Sequence, residues 1–206
     1  MAERILETAD RLFYQRGIRA VGVDTVAAEA GISKRSLYDY FPSKDALIAA
    51  YLQRRVRAGP DQDAPPLDQI LGVFDRMEQL FATGTFRGCP FVNAVAELGE
   101  GCPEAKSIAA SYKEERRVWF REMLERLGVA APDLLATQLA LLVDGAAAAM
   151  LVREDPSVAH AAREAARVLV AEAARGSVTH EAARMSITAE AAQGSVTAAP
   201  PASQNP

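Results

Sequence analysis

Residues 31–47, GISKRSLYDYFPSKDAL, set three basic side chains and two tyrosines in a stretch that otherwise forms two short helices meeting at a proline. Gly31 suits a tight turn, because it adopts φ > 0 at little cost. Ser33 is a good N-cap for a helix that buries Leu37 and Phe41 and stops near Pro42. Ser43 caps the next, with Leu47, Ile48, Tyr51 and Leu52 inward. Just upstream, Val23, Val26, Ala27 and Ala30 make a short helix that ends at Gly31. Two short helices joined by AEAGIS form a helix-turn-helix pattern. With Leu37 and Phe41 inward, Lys34, Arg35, Ser36, Tyr38 and Asp39 lie mostly outward. In this motif the second helix enters the major groove of DNA, its N-terminal residues against base edges. Lys34 and Arg35 sit at that end, and Arg is the commonest reader of guanine.

Lys44 is the most informative single residue. It falls in the first turn of its helix, where a cation opposes the helix dipole. A purely structural choice there is Asp or Glu. A phosphate docked at that helix N-terminus would be gripped by the free N–H groups and by Lys44 together. Tyr38 and Tyr40 offer hydroxyls to phosphates, or rings to sugars and thymine methyls. Taken singly, each residue reads equally well as core or solvated surface. Turn, cap, basic pair, tyrosines and Lys44 in one stretch are much harder to explain that way.

Bulk composition agrees. The chain has 206 residues, half of them apolar, enough for a sizeable core. The net charge of −4 hides an asymmetry. Residues 1–57 carry ten Lys/Arg against seven Asp/Glu, and the remainder thirteen against twenty. A basic head on an acidic body suits a polyanionic partner. Cys89 and Cys102 have no metal-ligand spacing and fit a reducing compartment. His160 and His180 have no second ligand at helical spacing, so no metal and no cofactor is expected. The amphipathic, charged N-terminus does not resemble a signal peptide. The most apolar run, 139–152, holds 14 residues and Asp144, against the ~20 a bilayer span requires. A cytoplasmic protein without membrane contact is expected.

Nearly every segment has helical period. Ile5, Leu6, Ala9, Leu12 and Phe13 share one face of a first helix, with Gly17 a plausible stop. AGPDQDAPP (58–66) breaks the pattern and marks a domain boundary. Helices are expected over Leu67–Thr83, Pro90–Gly99, Pro103–Leu127, Pro132–Arg153 and Pro156–Arg175. Asp155 is an N-cap, followed by proline at the first helical position. The charges of 103–127 read as a solvated face. The tail, 176–206, contains three imperfect copies of a nine-residue unit: SVTHEAARM, SITAEAAQG and SVTAAPPAS. Sparse in large apolar residues and ending in prolines, it reads as largely disordered or loosely helical.

Residues 4–52, RILETADRLFYQRGIRAVGVDTVAAEAGISKRSLYDYFPSKDALIAAYL, resemble the DNA-binding domain of the TetR/AcrR transcriptional regulators. AGISKRSLYDYFPSKDAL is highly specific to that family. RGCPFVNAVAEL (87–98) is similar to a segment of the subgroup named for the LmrA and YxaF repressors. The resemblance implies an all-α homodimer. Its parts are a three-helix helix-turn-helix head (1–57) and a helical-bundle domain (67–175) that dimerises and binds a small-molecule inducer. By position, Ser33, Lys34, Arg35, Ser36, Tyr38 and Asp39 would face bases or nearby backbone, while Tyr40 and Lys44 would hold phosphates. Two departures stand out. Gly22 occupies the place of a Ser or Thr that caps the second helix and touches phosphate; Thr25, in the first turn, is its replacement. Asp39 stands where His or Arg is frequent; it would repel phosphate or accept from a cytosine N4.

Phe74, Met77 and Phe81 share a helix face, and Phe91, Tyr112, Trp119 and Phe120 follow. Each is best read as core, and as a set, given the resemblance, they are expected to line an apolar pocket for an aromatic or lipophilic inducer. Asn93 and Glu97 are four apart on one face. They are either polar anchors in that cavity or satisfy backbone groups. Leu135, Leu139, Leu142, Ala146 and Ala149 form a stripe, with Ala165 and Leu169 on the next helix. The resemblance implies that the last two helices make the dimer interface; core packing within one subunit is the other reading.

A ligand-gated DNA-binding dimer that represses transcription from a palindromic operator is the first expectation. An activator or a ligand-independent regulator would share the head. No P-loop, GxGxxG, HExxH, nucleophile elbow or His-based triad points to an enzyme. A helical scaffold whose basic head meets an acidic protein is the remaining reading.

Overall fold

The structure, a computed structural model, describes residues 1–56 and 63–194, with side chains through residue 176. Most of the 58–66 break therefore lies outside the described residues, as does the third tail repeat. All regular elements described are helical: α1 (Ala2–Arg16), α2 (Val23–Glu29), α3 (Lys34–Tyr40), α4 (Lys44–Arg55), α5 (Pro66–Ala82), α6 (Pro90–Leu98), α7 (Pro103–Arg126), α8 (Pro132–Arg153) and α9 (Ser157–Gly194), with a 3₁₀ turn at Gly99–Gly101. The architecture is all-α: a helix-turn-helix head followed by a helical body.

The starts follow local chemistry. α5, α6, α7 and α8 each open on proline, whose fixed φ suits the first turn and whose missing N–H costs nothing there. Ser43 Oγ accepts the Ala46 N–H at 2.9 Å and caps α4. Asp155 Oδ1 accepts the Ser157 N–H at 3.0 Å where α9 begins. The helix expected to stop at Arg175 runs on to Gly194, so the first two tail repeats continue α9 rather than leave it.

Three apolar clusters hold the chain together. The first joins Ile5, Leu12, Phe13, Leu37, Leu47 and Leu52 of the head to Phe91, Ala94, Cys102, Ala105 and Ala109 of α6 and early α7. The core of the head thus crosses the compositional boundary, because α4 packs on α6 and α7. The second is the body core, with Ile70, Phe74, Phe120, Leu124, Leu139 and Ala166. The third is small: Phe81, Met150 and Ala159.

The charged face of α7 is not merely solvated. Lys113 Nζ and Arg116 Nη2 both reach Asp144 Oδ1 of α8 at 2.5 Å. α8 has 22 residues rather than the 14 of the apolar run, and alone among the described helices it is long and apolar enough to span a bilayer. Here it packs between α7 and α9, with Asp144 fixed by two cations of α7.

Candidate nucleic-acid interface

α2 and α3 are seven residues each, and Gly31 turns the chain between them with φ 65°. Their shared core is Val26, Ala27 and Leu37, with Ile32 and Phe41 packed at its edge. Ser33 Oγ accepts the Ser36 N–H at 3.0 Å and lies 2.9 Å from the Ser36 hydroxyl. The two serines therefore fix the start of α3 before they contact anything else.

Leu37 is completely buried, which turns Lys34, Arg35, Tyr38 and Asp39 outward on one exposed face. Tyr40 is exposed at the end of the helix, while Ser36 and Thr25 are half-buried. Arg35 has no partner among the described residues. Lys34 has one that sequence reasoning missed. Its ammonium meets Asp24 of α2 at 2.9 Å. Asp24 accepts a hydrogen bond from Lys34 and adds its charge, which holds that ammonium above the ordinary lysine range. Asp24 and Lys34 lie on different helices, so only the fold of the turn brings them together.

Lys44 has a partner within the chain. Its cation in the first turn of α4 has an internal explanation: Nζ donates to the Ile18 carbonyl at 2.7 Å. Burial pushes its pKa down, opposed by the charges of Glu97 and Asp45.

The nine residues expected to line a pocket do not converge. Phe91 and Tyr112 stack at 3.9 Å between ring centroids inside the head cluster. Phe74, Trp119 and Phe120 belong to the body core, and Phe81 to the small third cluster. Met77 touches both of the latter. Phe74, Phe81, Phe91 and Phe120 are at most 2 % exposed, so each packs as core. Asn93 and Glu97 satisfy backbone groups. The Asn93 amide donates to the Arg87 carbonyl at 2.8 Å, and Glu97 accepts the Arg19 N–H at 2.9 Å. Both line a cleft of about 260 Å³ between head and body, beside Tyr14, Gly17 and Arg87.

The expected interface stripe packs largely within its own subunit. Leu135, Leu139 and Ala146 are buried in their own subunit, with Leu142 and Ala149 half-buried. The exposed stripe of α8 is one residue away: Leu134, Gln138, Leu141, Gly145, Ala148 and Val152. Leu134, Leu141 and Val152 are 70 %, 64 % and 83 % exposed. On α9, Ala165 and Leu169 are half-buried beside the buried Ala162, Ala166 and Val170, and Val168 is exposed. Successive residues on a helix point about 100° apart, so a one-residue offset moves a stripe from one face to another.

Comparison with known proteins fits a helix-turn-helix of this kind. The N-terminal pattern of the bacterial regulatory proteins, tetR family, matches residues 5–51. EthR, a transcriptional regulator of Mycolicibacterium smegmatis, is 30 % identical over 168 residues, 75 % of this chain and 76 % of its own. KstR2, a transcriptional repressor of Mycobacterium tuberculosis, is 36 % identical over 139 residues, 63 % of this chain and 69 % of its own. YxaF of Bacillus subtilis is 26 % identical over 152 residues, 69 % of this chain and 78 % of its own. The crystal structure of a TetR-family transcriptional regulator from Streptomyces coelicolor superposes with a TM-score of 0.76 at 29 % identity, covering 84 % of this chain and 95 % of that one. Two uncharacterised Mycobacterium tuberculosis regulators share 46 % identity over 56 residues, only 28 % of their own length. The chain belongs to the TetR family of bacterial transcriptional regulators. It is a regulator and not an enzyme.

Proposed function

We propose that the chain is a cytoplasmic repressor that binds a palindromic operator as a homodimer and is released by a small aromatic or lipophilic inducer. The observation that carries the reading is the exposed face of α3, where Arg35, without a partner among the described residues, stands at the capped N-terminal end. An arginine there is placed to take guanine O6 and N7, with Tyr38 and Asp39 a turn further on. Tyr40 and Thr25 flank that face as phosphate contacts.

Dimerisation is supported by the exposed apolar stripe of α8. Leu134, Leu141 and Val152 share the stripe with Gln138 and with the small Gly145 and Ala148, which let a second helix approach closely. A two-fold axis through that stripe would present two heads to half-sites ~34–36 Å apart. An inducer would enter between α5 and α7, where Met77 and Trp119 are half-buried and methionine adapts to irregular occupants. It would shift the dimer toward a head spacing that no longer fits the operator, by its differential affinity for the two states. KstR2, named as a repressor, supports the sign of regulation.

Selection of random duplex DNA on the purified protein tests the reading. A palindrome bound ~10³-fold or more over random duplex is the expected result. No enrichment, with binding to acidic proteins instead, would replace DNA by a protein partner.

A further inference from the structure

The turn between α1 and α2 is held from two directions at one peptide group. Lys44 Nζ, at the start of α4, donates to the Ile18 carbonyl at 2.7 Å. Glu97, on α6, accepts from the Arg19 N–H at 2.9 Å. That carbonyl and that N–H are the two ends of the same peptide bond. A cation sits at its oxygen and an anion at its hydrogen, both aligned with the peptide dipole. Charge-assisted bonds of this kind are about twice as strong as neutral ones.

The surroundings are built for this approach. Gly17 has φ 91°, and a Cβ there would lie 3.1 Å from Glu97 Oε2, so glycine lets the carboxylate close on the turn. One turn earlier, the Tyr14 hydroxyl donates to the Gly88 carbonyl at 3.1 Å and accepts the Arg87 N–H at 2.9 Å. The end of α1 is thereby tied to the loop that enters α6. Next along the chain is Gly22, the N-cap of α2, which supplies no side-chain cap. The entry to the helix-turn-helix lacks its local fastening and receives this one from elsewhere.

We infer that the Ile18–Arg19 peptide is a clamp, gripped by Lys44 and Glu97, that sets the orientation of the reading helices relative to the body, with Glu97 a positioning residue for DNA recognition. The inference rests on the DNA-reading proposal above. Glu97 thereby bears on the turn that leads into α2 and α3 without itself touching DNA.

Two measurements on the full chain test it. The first is amide hydrogen exchange without DNA. Glu97→Ala should speed Arg19 exchange about tenfold, the scale of one charge-assisted hydrogen bond, and Glu97→Gln, which keeps a neutral acceptor, should restore only part of the protection. Lys44→Met should speed the same amide. Unchanged Arg19 exchange in Glu97→Ala overturns the clamp whether or not the chain reads DNA. The second uses the selected operator. Glu97→Ala should weaken operator binding about tenfold and leave random-duplex affinity and salt slope unchanged. A purely stabilising role for Glu97 would lower the melting midpoint without that split, and would overturn the positioning role. Lys44→Met should cost operator affinity in the native background and little more in Glu97→Ala, because one broken end already releases the peptide. Additive losses, with a salt slope reduced by about one unit in Lys44→Met, would assign Lys44 to a phosphate and also overturn the clamp. If the native chain enriches no operator, the DNA-reading proposal fails, while the exchange of Arg19 still decides the clamp.

Discussion

The head and the body are built from the same material, amphipathic helices with proline or serine starts, yet they differ in what their side chains are free to do. In α3 a single buried leucine fixes the face, and five of the remaining six side chains point into solvent, Arg35 without a partner among the described residues. In the body the core phenylalanines are committed to their neighbours. Phe74 and Phe120 are completely buried, and Phe91 is spent against Tyr112 in the core of the head. A surface kept available signals binding; a buried aromatic signals only that something packs on it.

The comparison breaks most visibly at Phe120. If it is core, Phe120→Ala should cost about 3–5 kcal/mol in chemical denaturation, with or without added apolar ligands. A loss much below that would mean that it borders open space. The α8 stripes give the next largest contrast. Leu139→Ala should cost about 2–5 kcal/mol of protomer stability. Leu141→Ala should change protomer folding by no more than about 0.5 kcal/mol while shifting the dimer toward monomer in sedimentation. Equal effects at both positions would erase the distinction between the faces. Arg35→Ala sharpens the head side. It should cost about 1–3 kcal/mol of operator binding and relax preference at one base position. Equal loss on random duplex would remove its base-reading role. Asp155 gives the smallest effect. The Ser157 donors lower its folded pKa, so its contribution is present above the unfolded value near 3.9 and fades as pH falls through the folded one. Asp155→Asn should therefore melt slightly earlier than the native chain at pH 7, and the gap should close in acid.

The row expected at the interface lies largely inside its own subunit for a specific reason. Leu135, Leu139, Leu142, Ala146 and Ala149 repeat every four and three residues, but so do Leu134, Gln138, Leu141, Gly145, Ala148 and Val152. Helical period finds both rows and ranks the more apolar one first. The more apolar row is the one the subunit keeps for itself. Lys44 teaches a related point: its breach of the dipole rule is legible in sequence, but the partner that explains it lies 26 residues upstream.

What the sequence determined by itself is local: the helix starts at proline and serine, the turn at Gly31, the inward Leu37 and, through them, the outward face of α3. Capping, backbone conformation and i, i+4 geometry act within a few residues, so composition and spacing suffice. The tertiary structure decided what depends on who packs against whom. That includes the α8 face left open, the extension of the head's core into α6 and α7, the pairing of Asp24 with Lys34, and the meeting of Lys44 and Glu97 at one peptide. Each of these joins groups on separate helices, and helical periodicity carries the angle of a side chain around its own axis but not the identity of the neighbour it meets.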